Sequence, residues 1–195
     1  MLRRGYFLLF GLLDLTALGI AFVASLHVLS IYFSYFTVLS NILITFVFLS
    51  FGIQKKATAL AHILFAPAVL YMTITGIVFW TILRNNHLQT VPWINIVLHG
   101  VMPIAALTAW ILFTEKRRIP IKKTFVWLLF PIAFVCYTLI RGPFAHWYPY
   151  PFLDPDTAGG YLKVAVSCVF ILTGGWLTGV LLLWIQEKRV KMKYR

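Results

Sequence analysis

Apolar residues run through this chain in six long blocks separated by short polar breaks. They do not alternate with polar residues in the period of a half-buried strand, nor in the 3.6-residue period of a surface helix. The blocks cover roughly residues 5–26, 33–53, 58–83, 93–114, 122–140 and 161–186. A helix needs about 20 such residues to cross ~30 Å of hydrocarbon, and each block suffices. The pattern predicts an all-α integral membrane protein, a six-transmembrane-helix bundle forming one domain over residues 1–195. Arg3 and Arg4 ahead of the first block resemble the start of a signal peptide. The apolar run that follows, from Gly5 to about Ser25, is longer than the ~7–15 residues of a signal-peptide core and contains Asp14, so it reads as a retained first span.

Composition sharpens the picture. The 195 residues are 61% hydrophobic and 11% charged, with a mean hydropathy of +0.88. A soluble domain carries about a quarter charged residues, so a water-soluble globular class is excluded. The net charge of +12 would suit nucleic acid if it covered one face. Here it sits in clusters between apolar blocks, so nucleic acid is not an expected partner. Fourteen basic residues (Arg3, Arg4, Lys55, Lys56, Lys116, Arg117, Arg118, Lys122, Lys123, Lys188, Arg189, Lys191, Lys193 and Arg195) fall at the termini and even-numbered connections. Only Arg84, Arg141 and Lys163 fall on the odd side. By the positive-inside rule both termini are expected in the cytoplasm, with the odd connections outside. In a eukaryotic cell the odd connections would face the lumen instead. Cys136 and Cys168 both lie inside apolar blocks without a metal-binding or disulfide spacing, and read as small core residues.

With that topology, polar residues inside the blocks become the candidates for chemistry, because each is costly in lipid. Ser34, Thr37 and Asn41 share one face of the second span by spacing, and Asn95 and His99 share a face of the fourth. Thr37 and His99 each fall several residues inside the outer edge, roughly 6–10 Å deep at 1.5 Å per residue. A hydroxyl and an imidazole at equal depth can form a nucleophile and its general base. Asn41 or Asn95 would then orient the ring or donate to an oxyanion. The competing reading gives the threonine a bond to its own i−4 carbonyl and the histidine a structural bond to a neighbouring helix. Pro103, four residues after His99, removes the N–H that would bond the His99 carbonyl, so a local kink or inserted group is expected there. Pro67 and Pro131 should disturb the third and fifth spans in the same way. Asp14 is the one carboxylate deep in a span, a relay group or a polar anchor by position.

The fifth connection, RGPFAHWYPYPFLDPDTAGGY from Arg141 to Tyr161, alternates aromatics with prolines. It suits an interfacial belt or a lid, with Arg141, His146, Trp147, Tyr150 and Asp154 as substrate-binding candidates. Arg141 would take an anionic head group or carboxylate; the plain alternative is an aromatic anchor with an Arg141–Asp pair. Gly175 and Gly179 in the sixth span form a GxxxG pattern for close packing.

The segments FSYFTVLSN, NIVLHGVMP and WYPYPFLD, in that order on six spans, resemble a known family. They are similar to bacterial relatives of the androgen-induced-gene product and of the androgen-dependent regulator of tissue factor pathway inhibitor. The Tyr150–Asp154 segment is the most specific of the three. The resemblance implies an intramembrane threonine hydrolase that cleaves fatty acid esters of hydroxy fatty acids or similar acyl lipids. It implies Thr37 as nucleophile and His99 as catalytic histidine, and requires no cofactor or metal. The expected partners are then a lipid ester and membrane lipids. The rival from another class is a transporter or lipid-binding protein using Asp14, His99 and Arg141 along a polar path; a third possibility is an assembly protein whose polar groups only join helices.

Overall fold

The computed structural model describes residues 2–55, 57–84, 91–114 and 119–192, without the side chains of 190–192. Among the described residues there are helices and turns but no strand. Six helices are long and apolar enough to cross a membrane: α1 (Leu2–Ala24), α2 (Phe36–Ile53), α3 (Ala59–Leu83), α4 (Pro92–Phe113), α5 (Lys123–Ala145) and α6 (Tyr161–Met192). They match the six apolar blocks, with shifted ends. Of the basic residues that set the expected orientation, Lys56, Lys116, Arg117, Arg118, Lys193 and Arg195 lie outside the described residues.

Two of the shifts have local causes. α2 begins at Phe36, three residues after the apolar block does, because the chain before it makes a 3-10 turn (Leu26–Val28) and a separate one-turn helix (Leu29–Tyr32). Tyr35 is extended there, and Ser34 spends its hydroxyl on the Ser30 carbonyl at 2.6 Å. Ser34 therefore does not join Thr37 and Asn41 on a face of α2. The Tyr32 hydroxyl donates to the Leu18 carbonyl at 2.9 Å and pins this connection onto α1. α5 continues past its apolar block to Ala145 and ends where His146 takes a left-handed conformation (φ 47). Pro67 and Pro131 lie within α3 and α5, and both helices continue past them.

The described chain divides into two compact units, Met1–Arg118 with Trp184–Arg195, and Ile119–Leu183. The first is built on an aromatic core. Phe7 of α1 sits 5.1 Å from both Phe48 and Phe51 of α2 and 5.5 Å from Phe113 of α4, and Phe65 of α3 packs 5.5 Å from Trp110. Edge-on and tilted rings at such spacings attract beyond their buried area. Basic side chains close helix ends. Arg4 donates to the carbonyls of Gly52 and Ile53 at 3.0 and 2.8 Å, and Arg189 to that of Leu112 at 3.0 Å. Last-turn carbonyls lack helical donors and carry the negative end of the dipole. Part of the chain's positive charge thus terminates helices as well as marking topology.

In the second unit Phe125 stacks on Trp176 (5.7 Å), and Gly175 and Gly179 are buried. Both cysteines are free; Cys168 is buried, but Cys136 is exposed rather than a core residue. In the first unit α1 and α2 approach closely at Gly52, where a Cβ would sit 2.7 Å from Leu8 Cγ and 2.9 Å from the Leu8 backbone nitrogen. Gly52→Leu should lower stability by about 1–3 kcal/mol, the usual cost of overpacking, read as a lower thermal midpoint in detergent; an unchanged midpoint would show that the contact yields freely.

Candidate active site

Four threonines in the spans do what a threonine in an apolar helix is expected to do. Thr16, Thr73, Thr81 and Thr178 each bond the carbonyl four residues back, at 2.7–2.9 Å. Thr37 faces another helix. Its Oγ1 lies 3.2 Å from Nε2 of His99, and the two side chains are 8% and 7% exposed. The pair expected from equal depth is in contact. Thr37 is not several residues inside its span, however; it is the second residue of α2. It therefore stands in the first helical turn, at the positive end of the helix dipole.

The other ring nitrogen decides the chemistry of the contact. His99 Nδ1 lies 3.1 Å from the Asn95 carbonyl oxygen, which can only accept. In the neutral imidazole Nδ1 therefore carries the hydrogen and Nε2 presents a lone pair. The Thr37 hydroxyl is the donor of the pair, and its proton points at a base.

The backbone of α4 explains why His99 is held this way. Pro103 has no N–H, so the His99 carbonyl has no i+4 partner. The helix responds with a π turn over Val97–Val101, in which the Met102 N–H reaches back five residues to the Val97 carbonyl. The Trp80 indole Nε1 donates to the freed His99 carbonyl at 3.0 Å. α3 has its own π turn over Phe79–Leu83, and from it Phe79 lies flat on the imidazole, ring centroids 4.0 Å apart at 21°. Single π turns recur at functional sites in helices. Gly76 permits the approach of α3 and α4, since a Cβ there would meet Pro103 Cβ at 2.9 Å.

The supporting residues bond as follows. Asn41 turns its amide to the backbone. Its Nδ2 donates to the Thr37 carbonyl at 2.8 Å and to the Leu98 carbonyl at 3.4 Å, clamping α2 to the π turn. Asn95 orients the imidazole with its backbone, not its side chain, whose Oδ1 is buried without a partner. Asp14 is fully buried and accepts from Thr45 Oγ1 at 2.7 Å. Thr45 lies eight residues along α2 from Thr37, about 12 Å of helix, so Asp14 anchors α1 to α2 about two turns from the pair. Four residues were not anticipated. Ser40 donates to the Thr37 carbonyl at 3.0 Å and pairs with Thr75 at 2.9 Å, and Phe79 and Trp80 hold His99. The signal for Trp80 was present: a carbonyl freed by Pro103 in lipid demands a donor.

No family model matches this chain, and no curated protein or solved structure matches it.

The second unit holds the remaining candidates. Arg141 lies over the Trp147 ring at 5.6 Å, a cation–π contact rather than an ion pair with an aspartate. Asp154 caps the short helix Pro155–Ala158, accepting from the Asp156 N–H at 3.0 Å and from Thr157 Oγ1 at 2.6 Å. Tyr150 is buried, stacked on Phe152 at 5.3 Å. His146, Trp147 and Asp154 line an open groove of about 430 Å³, together with Tyr148, Asp156 and Tyr161. Burial, then the neighbouring Tyr161 and the two aspartates, push the Tyr148 phenol above its ordinary range.

Trp80→Phe keeps an aromatic ring but strands the buried His99 carbonyl. The expected loss is about 1–3 kcal/mol of stability, measured by denaturation in detergent; stability equal to wild type would mean that the π turn finds another donor.

Proposed function

We propose that this protein is a membrane-embedded hydrolase of lipid esters, with Thr37 as nucleophile and His99 as general base. The observation that carries the reading is the setting of the imidazole: Nδ1 lies against the Asn95 carbonyl at 3.1 Å while Nε2 faces the Thr37 hydroxyl at 3.2 Å. In the first half-reaction the Thr37 oxygen bonds to the ester carbonyl carbon as its proton passes to Nε2. The tetrahedral intermediate collapses, the bond to the alcohol oxygen breaks, and the alcohol leaves with the proton from Nε2. Water then attacks the acyl-threonine and gives its proton to Nε2. Collapse releases the carboxylic acid, and Thr37 regains its proton. The negative charge of each intermediate develops beside the first turn of α2, where the helix dipole favours it.

The substrate class follows from the surroundings and from the family resembled. Helices long and apolar enough to span a membrane enclose the pair, so a substrate with long acyl chains, such as a fatty acid ester of a hydroxy fatty acid, partitions to it. The distribution of basic residues supports both termini in the cytoplasm and the threonine–histidine pair toward the outer leaflet, and the resemblance to bacterial proteins supports the plasma membrane as the location. A transport path would run on through Asp14; that carboxyl is instead fully buried and bonded to Thr45, which favours the hydrolase.

The test is labelling of the purified full-length protein with a long-chain alkyl fluorophosphonate. Wild type should form an adduct on Thr37, and Thr37→Ala should form none. His99→Ala should label and hydrolyse esters more slowly by about 10²–10⁴-fold, the usual worth of a positioned base. Equal labelling of wild type and Thr37→Ala would remove Thr37 from the chemistry. For orientation, reporter fusions at either end should be active only when the reporter works in the cytoplasm. Periplasmic activity at either end would overturn the assigned topology.

A further inference from the structure

A base that accepts a proton inside a membrane becomes a buried cation, and that cation needs a partner. In the triad arrangement a carboxylate behind the histidine supplies it. Here the group behind His99 is the neutral Asn95 carbonyl, 3.1 Å from Nδ1. The one carboxylate deep in the spans, Asp14, is tied to Thr45, two turns along α2 from the dyad. The remaining contact is the face of Phe79, parallel to the imidazole at 4.0 Å and 21°. Phe79 is itself buried at 9% exposure, so water does not screen the pair. The neighbouring Trp80 ring already has the Arg84 guanidinium 5.3 Å from its centroid, whereas Phe79 gives its face to the histidine.

We propose that the π face of Phe79 stabilises the imidazolium that forms on His99 during proton transfer, standing in for the acid of a triad. An aromatic face carries partial negative charge and attracts a cation most strongly when desolvated. In the proton transfer the O–H bond of Thr37 breaks, the N–H bond forms at Nε2, and the positive charge spreads over a ring stacked on Phe79. Phe79 touches no reacting atom; it is a positioning residue acting through His99. The inference rests on the proposed function.

The test varies the charge of the face without its shape. Phe79 is replaced in the full-length chain by phenylalanine analogues with one, two and three ring fluorines, each drawing electron density from the face. The rate of fluorophosphonate addition to Thr37 and the kcat on a lipid ester should fall stepwise, about three- to thirtyfold across the series, with KM and thermal midpoint unchanged. Phe79→Trp should retain most of the rate, and Phe79→Leu should lose as much as the trifluoro form. A flat fluorine series with an active wild type would overturn this inference alone and leave the proposed function standing. A wild type that neither labels nor hydrolyses would overturn both.

Discussion

One missing N–H organises the centre of the first unit. Because Pro103 cannot donate, the His99 carbonyl turns to Trp80, and α4 opens into a π turn around the histidine. A helix in lipid has no water to satisfy a stranded carbonyl, so a neighbouring helix must supply the donor. That requirement brings α3 against the ring, with Phe79 stacked on it and Gly76 leaving room for Pro103. The helix irregularity and the position of the imidazole are one feature.

A second constraint fixes the partner. The Thr37 carbonyl accepts from both Ser40 and Asn41, and Asn41 also reaches the Leu98 carbonyl on the π turn. These bonds hold the first turn of α2 at the depth and rotation where its hydroxyl meets Nε2. Thr45 and Asp14 lock α1 to the same helix two turns further along. Asp14 with Thr45, Ser40 with Thr75, and Asn41 with the Leu98 carbonyl each join two helices. A threonine and histidine in contact therefore stand out by orientation, not merely by polarity.

The second unit shows how the same composition reads differently without tertiary information. A charged, aromatic loop suggests ligand binding; in the fold Asp154 also caps a four-residue helix, Tyr150 stacks on Phe152, and Arg141 lies over Trp147. In a proline-rich connection the backbone donors find few helical partners, so side chains are drawn into local bonds.

The sequence alone determined six apolar helices, because hydrocarbon thickness sets their length and composition leaves no other class. It also narrowed the candidates to Thr37 and His99, because polar residues are few where each is costly. Depth followed from counting residues, but rotation about a helix axis did not. Tertiary structure decided that Thr37 opens α2 rather than lying within it, that Ser34 leaves its face, and that Asn41 clamps while Asn95 acts through its carbonyl. It alone brought Phe79 to the imidazole and Trp80 to the His99 carbonyl. These outcomes depend on donors and rings from other helices, and no periodicity along one segment encodes which neighbour will meet a freed carbonyl.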